Sequence, residues 1–195
     1  MRQAKKNLDA TLALERRFPD NVFRGRWDAF YFFNAELLFE RDSAERLKVL
    51  LASENGAVIC VRNLDIANTE RNPDDTFFFE KETLGETYWA RLYGKDPVFP
   101  GYGWGYSMYN YGYTSELGGW CIYCEKMAEF GVVAVCEGGA PGQFTSAIKA
   151  FGALPIKQAI EHTRCYTLTP GILLEEWRMK LIQNYSSSQE RPQEW

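Results

Sequence analysis

The chain has 195 residues and a mass of 22.5 kDa, the size of one ordinary domain with room for a substantial core. A net charge of −4 and a pI near 5.2 exclude general affinity for nucleic acid, which depends on clustered Lys and Arg, and favour a basic partner. No apolar run approaches the ~20 residues that span a bilayer, and the charged first fourteen residues lack a signal-peptide apolar region, so the expected location is the cytoplasm, with no membrane partner.

In chain order, residues 2–17 read as a basic helix with Leu8, Leu12 and Ala13 on one side, ended by Pro19. Phe30, Phe33, Leu37 and Leu38 stand at helical spacing and predict a second helix over 27–40. Asp42 and Ser43 can cap a third over 44–53, and the two together suggest an antiparallel helical hairpin. Asn55-Gly56 breaks the pattern, and the apolar, partly β-branched run 57–64 suits a buried strand. Residues 65–86 form the most acidic segment, with Asp65, Glu70, Asp74, Asp75, Glu80, Glu82 and Glu86 against Arg71 and Lys81. Residues 1–26 carry seven basic and three acidic side chains, so the chain is polarised more than its net charge indicates.

A helix over 82–93 ends at Gly94 and Pro97 and precedes the most unusual tract, residues 99–113. Tyr102, Trp104 and Tyr106 alternate with glycines there, and Tyr109, Tyr111 and Tyr113 continue on odd positions after a turn or bulge near Ser107-Met108. Such alternation gathers rings on one face, either as a packed sheet face or as a recognition surface. Residues 119–125 and 131–137 make the clearest hairpin and the expected centre of the sheet. Residues 138–142 are a glycine-rich loop, 144–151 and 155–162 short helices, and Thr169-Pro170 opens a helix through 185. Residues 186–195 are a polar, flexible tail. The expected architecture is a single α+β domain over 1–185, a central, mostly antiparallel sheet with helices packed on it.

Few residues suit catalysis. His162 is the only histidine, which leaves no multi-histidine metal site, and Cys165 three residues later has no assignable orienting acid. The odd count of five cysteines points to free thiols rather than a disulfide framework. Cys121-x-x-Cys124 has no second such pair, and in a strand its thiols point to opposite faces, against metal or redox chemistry. The 138–142 loop lacks a phosphate-binding pattern. No cofactor or metal is therefore expected, and no catalytic residue is assigned.

The segment Gly119-Trp-Cys-Ile-Tyr-Cys-Glu-Lys-Met-Ala-Glu-Phe-Gly-Val-Val-Ala-Val135 resembles the Trp-x-Ile-Tyr strand, acidic turn and apolar return strand of some cytosolic immunity proteins from polymorphic and contact-dependent toxin systems. The resemblance covers this hairpin and carries over no toxin-binding residue. It implies an α+β protein that neutralises a cognate toxin domain by direct binding. Composition supports binding independently. An acidic segment suits a basic nuclease surface, and Tyr and Trp supply anchors, so the expected partner contacts are Asp74, Asp75, Glu80, Glu82, Tyr102, Trp104, Tyr106, Tyr109 and Tyr111. The alternative is a small-molecule or carbohydrate-binding protein or enzyme that uses Glu125, Glu129 or His162 in a Tyr-lined pocket.

Overall fold

The computed structural model describes residues 1–65, 76–94, 105, 108–138, 140–161 and 174–186. Its frame is a six-stranded antiparallel sheet of β1 (Ala29–Asn34), β2 (Val58–Asn63), β3 (Thr76–Glu80), β4 (Asn110–Ser115), β5 (Trp120–Glu125) and β6 (Phe130–Val135), in the order β1-β6-β5-β4-β2-β3. Tight connections join β4 to β5 and β5 to β6, so the expected hairpin lies inside the sheet, with Tyr123 opposite Val132. The fold is a single α+β domain.

Helices cover both faces of the sheet. On one face α2 (Ser43–Glu54), α3 (Leu84–Tyr93) and α4 (Thr145–Ala150) pack against Phe33, Ile59, Val61, Trp120, Ile122 and Val133. On the other, α1 (Arg2–Thr11), α5 (Ile156–Glu161) and α6 (Glu175–Tyr185) pack against Phe32, Cys60, Tyr123, Val132 and Ala134. Burial on both faces explains why β5 and β6 read as continuous apolar runs rather than as alternating ones. Within them the two-residue period persists: Cys124 joins the first core and Cys121 the second, so the Cys-x-x-Cys pair is split across the sheet.

Two expected helices are corrected. The 27–40 segment is the edge strand β1 followed by a 3-10 turn, Ala35–Leu38, and the helical hairpin does not exist. Its aromatic residues match a helical period only because Phe30 and Phe33 are three apart. In the strand Phe32 and Phe33 enter opposite cores, which suits the β-preference of aromatic side chains. The N-terminal helix stops at Thr11, because Leu12 is extended and bridges Phe23. Asp42 does stand at the start of α2, but it caps through its carbonyl oxygen, which accepts from the Glu45 and Arg46 N–H groups, and not through its side chain. At the other end of α2, Asn55 closes the helix in the left-handed conformation (φ 59°), as Asn-Gly leads one to expect. The strand β3 inside the acidic segment was not anticipated.

The Tyr-Gly-Tyr alternation of β4 has a packing cause. Tyr111 and Tyr113 are fully buried under α2 and α3, while Gly112 faces α1. A Cβ at Gly112 would lie 2.5 Å from Leu12 Cδ1 and 3.3 Å from Leu8 Cδ1, so the glycine seats the N-terminal helix on the sheet. The Tyr113 and Tyr88 hydroxyls lie 2.9 Å apart, and Tyr88 donates to the Leu38 carbonyl.

Candidate functional site

Nucleophiles and carboxylates offer no reaction centre among the described residues. Burial pushes the Cys60 thiol up to about 12 and raises Cys121 well above its ordinary range, so both remain protonated at neutral pH. Cys124 is also buried, Cys136 is exposed, and Cys165 and His162 lie outside the described residues. Glu125 is committed to structure: its Oε1 accepts from the Phe18 backbone N–H at 2.8 Å and from the Tyr123 hydroxyl at 2.7 Å. Glu129 occupies the left-handed residue of the β5–β6 turn (φ 58°). No group of three or more His, Cys, Asp or Glu that could hold a metal ion occurs among the described residues, nor does any helix there have the length and apolarity to cross a membrane.

The surface is more informative. Helix α3 buries only Leu84, Tyr88 and Leu92, a single stripe at four-residue spacing, and the rest of its circumference is turned outward. Trp89 and Tyr93, again four apart, touch ring to ring, centroids 4.4 Å apart and planes tilted by 46°, while remaining 40% and 37% exposed. The Tyr93 hydroxyl is fixed by donation to the Phe39 carbonyl at 2.6 Å. Glu80, Glu82 and Glu86 are exposed where β3 turns into α3, the helix that carries both rings.

Beside α3 runs the outer edge of the sheet. The register places Leu64 opposite Asn110 and Ala57 opposite Lys81, and both pairs are hydrogen-bonded, at 2.7 and 2.8 Å. Because such pairs alternate along antiparallel strands, Phe77 and Phe79 spend their backbone groups on β2. Thr76, Phe78 and Glu80 turn theirs outward. The Glu80 carbonyl is taken up by the Thr83 N–H, but no described strand pairs with the others. A groove of about 630 Å³ follows this edge, walled by Thr83, Thr87, Ala90 and Arg91 of the α3 side and by Met1 opposite. The Arg91 guanidinium sits 4.1 Å from the centroid of the Phe77 ring, and the Thr76 hydroxyl oxygen is buried with no hydrogen-bond partner among the described residues.

Of the expected partner contacts, Glu80 and Glu82 fall on this surface. Tyr109 is 53% exposed at the far end of β4, near the exposed Met127 of the β5–β6 turn, whose neighbour Lys126 donates its backbone N–H to the Tyr109 carbonyl at 2.7 Å. Tyr111 is corrected: it lies in the core, since its position in β4 points it at the α2 and α3 layer. Asp74, Asp75, Tyr102, Trp104 and Tyr106 lie outside the described residues. Gly105, described between Trp104 and Tyr106, packs on Phe39, and its carbonyl accepts from Lys126 Nζ at 2.9 Å. Sequence reasoning missed Trp89 and Tyr93, although the spacing of Leu84, Tyr88 and Leu92 already left both off the buried stripe. Phe77 and Phe78 were hidden by the surrounding acids.

No protein-family model, curated protein or solved structure matches this chain.

Proposed function

We propose that this chain is a protein-binding protein that neutralises a cognate bacterial toxin domain by direct contact, through the surface shared by α3 and the edge of β3. The observation that carries the reading is the half-exposed Trp89–Tyr93 ring pair on the helix that follows the exposed carboxylates Glu80 and Glu82 and carries a third, Glu86. Aromatic anchors supply most of the energy at such interfaces, and carboxylates around them accelerate encounter with a basic surface. No described residue favours the sugar or small-molecule reading, because Tyr111 and Tyr113 are in the core and Glu125 is engaged in the fold.

The reading is tested by purifying the chain from its native host under gentle conditions. A stoichiometric partner with a basic surface is expected, toxic to cells when produced alone and harmless when this chain is co-produced. Trp89→Ala should weaken the complex by about 2 kcal/mol or more, and the association rate should fall as salt is raised. Recovery of the chain alone, or a partner whose toxicity it leaves untouched, overturns the proposal.

A further inference from the structure

We infer that the partner is held in part by strand addition, an extended basic segment pairing with the outer edge of β3 as a seventh strand. This rests on the binding function proposed above and specifies how the partner is recognised.

The edge has what an added strand requires. Thr76 and Phe78 present N–H and C=O groups outward at the two-residue spacing that an antiparallel neighbour matches, and Glu80 adds an N–H. The groove alongside them is continuous over the strand and walled on both sides, by α3 and by Met1. Of the devices that keep free edges apart, Thr76–Glu80 contains no proline, no lysine and no bulge; three of its five residues are phenylalanine and its single charge, Glu80, repels another acidic edge but not a basic segment. A buried Thr76 hydroxyl without a partner among the described residues lines the same groove. Charge selects the occupant. Glu80 projects from the strand itself and is exposed, Glu82 and Glu86 follow it, and Asp74 and Asp75 directly precede Thr76 in sequence. Arg91, the basic side chain lining the groove, is already stacked on Phe77. A strand that alternates basic and apolar residues therefore meets opposite charge across from Glu80, the arrangement favoured between paired strands.

The probe is an end-capped hexapeptide of alternating lysine and valine, titrated into the full-length chain and followed by amide hydrogen exchange resolved by residue. At about five times its Kd, the peptide should slow exchange at Thr76, Phe78 and Glu80 about sixfold, with little change at Phe77 and Phe79, which are already bonded to β2. N-methylation of alternate peptide amides should abolish the effect, a glutamate–valine peptide should not bind, and Glu80→Lys should weaken the lysine peptide.

Protection elsewhere on the surface, or equal binding by the N-methylated peptide, overturns strand addition. So does concentration-dependent protection of the same three amides without peptide, which would mean that β3 pairs with a second copy. The two proposals fail separately. If a toxin partner is recovered and inhibited but leaves Thr76, Phe78 and Glu80 unprotected in the complex, toxin neutralisation stands and strand addition falls. If the peptide protects these amides and no partner is recovered, the reverse holds.

Discussion

Glu54, in the last turn of α2, carries a carboxylate at a largely buried position. Its Oε2 accepts from the Gly119 N–H at 3.0 Å, but its Oε1 is buried with no hydrogen-bond partner. Burial raises its pKa above the ordinary 4.5, opposed in part by the Ser115 hydroxyl, the Gly119 N–H and the Trp120 indole N–H and reinforced by the negative charge of Glu116. A carboxyl whose folded pKa exceeds its unfolded one binds more protons in the native state than in the unfolded state across the interval between them. Stability from this group therefore rises as pH falls from neutrality towards 4.5 and levels off below it. Glu54→Gln keeps an acceptor for Gly119 and removes the titration. The urea midpoint of Glu54→Gln relative to wild type should be highest near neutrality and should decline as the pH is lowered to about 4.5, with unchanged m-values. A constant difference across that range would show that burial of Glu54 carries no charge penalty. Other titrating groups cancel in the comparison, which makes it specific to this carboxyl.

Two glycines show how the elements are fitted to the sheet, and they should differ in cost. A Cβ at Gly131 of β6 would lie 2.3 Å from Cys124 Sγ and 2.8 Å from Phe33 Cζ, side chains locked between neighbouring strands. A Cβ at Gly112 meets the end of the Leu12 side chain, which can swing away within α1's docking surface. Gly131→Ala should destabilise by about 2–3 kcal/mol and Gly112→Ala by about 1 kcal/mol or less, read from denaturant midpoints. Equal losses would show that Leu12 is as constrained as Phe33. This same fitting decided which elements the sequence made legible. α2, α3, β2 and the β5–β6 hairpin follow from local pattern, because each is built from one unbroken period ended by Asn, Gly or a polar turn. β1 did not, since Phe30 and Phe33 stand three apart and, with Leu37 and Leu38, mimic a helical stripe. β3 was obscured by the acids around it: an edge strand of five residues is set by pairing with β2, a long-range contact that local composition does not record. The candidate site was legible in its chemistry, an acidic face with Tyr and Trp, and less so in its membership. Glu80 and Glu82 lie on it, Tyr111 does not, and Trp89 and Tyr93 required the helix to be rolled onto its buried stripe.

Across the whole molecule, stability and the proposed binding surface are arranged in opposite directions. β5 and β6 sit inside the sheet with both faces covered, and nearly all their side chains are buried. β3 has one neighbour in the described sheet and α3 is anchored by three buried side chains, so this margin is held by far less buried area than the centre. Native-state hydrogen exchange should therefore place the bonded amides of Phe77 and Phe79 in a unit that opens at lower free energy than Ile122 or Val133, whose amides should exchange only through global unfolding. The gap should be about 2 kcal/mol or more if the margin opens as its own unit. Exchange of Phe77 and Phe79 at the global free energy would instead make the sheet a single cooperative body from edge to edge. The expected order has a functional consequence. An added strand would complete the hydrogen bonding of the least protected part of the sheet, so a bound partner should raise protection most at β3 and α3 and hardly at all at β5 and β6. On that proposal the rigid centre holds the edge in register, and the edge offers the outward-facing backbone groups that an added strand would bond.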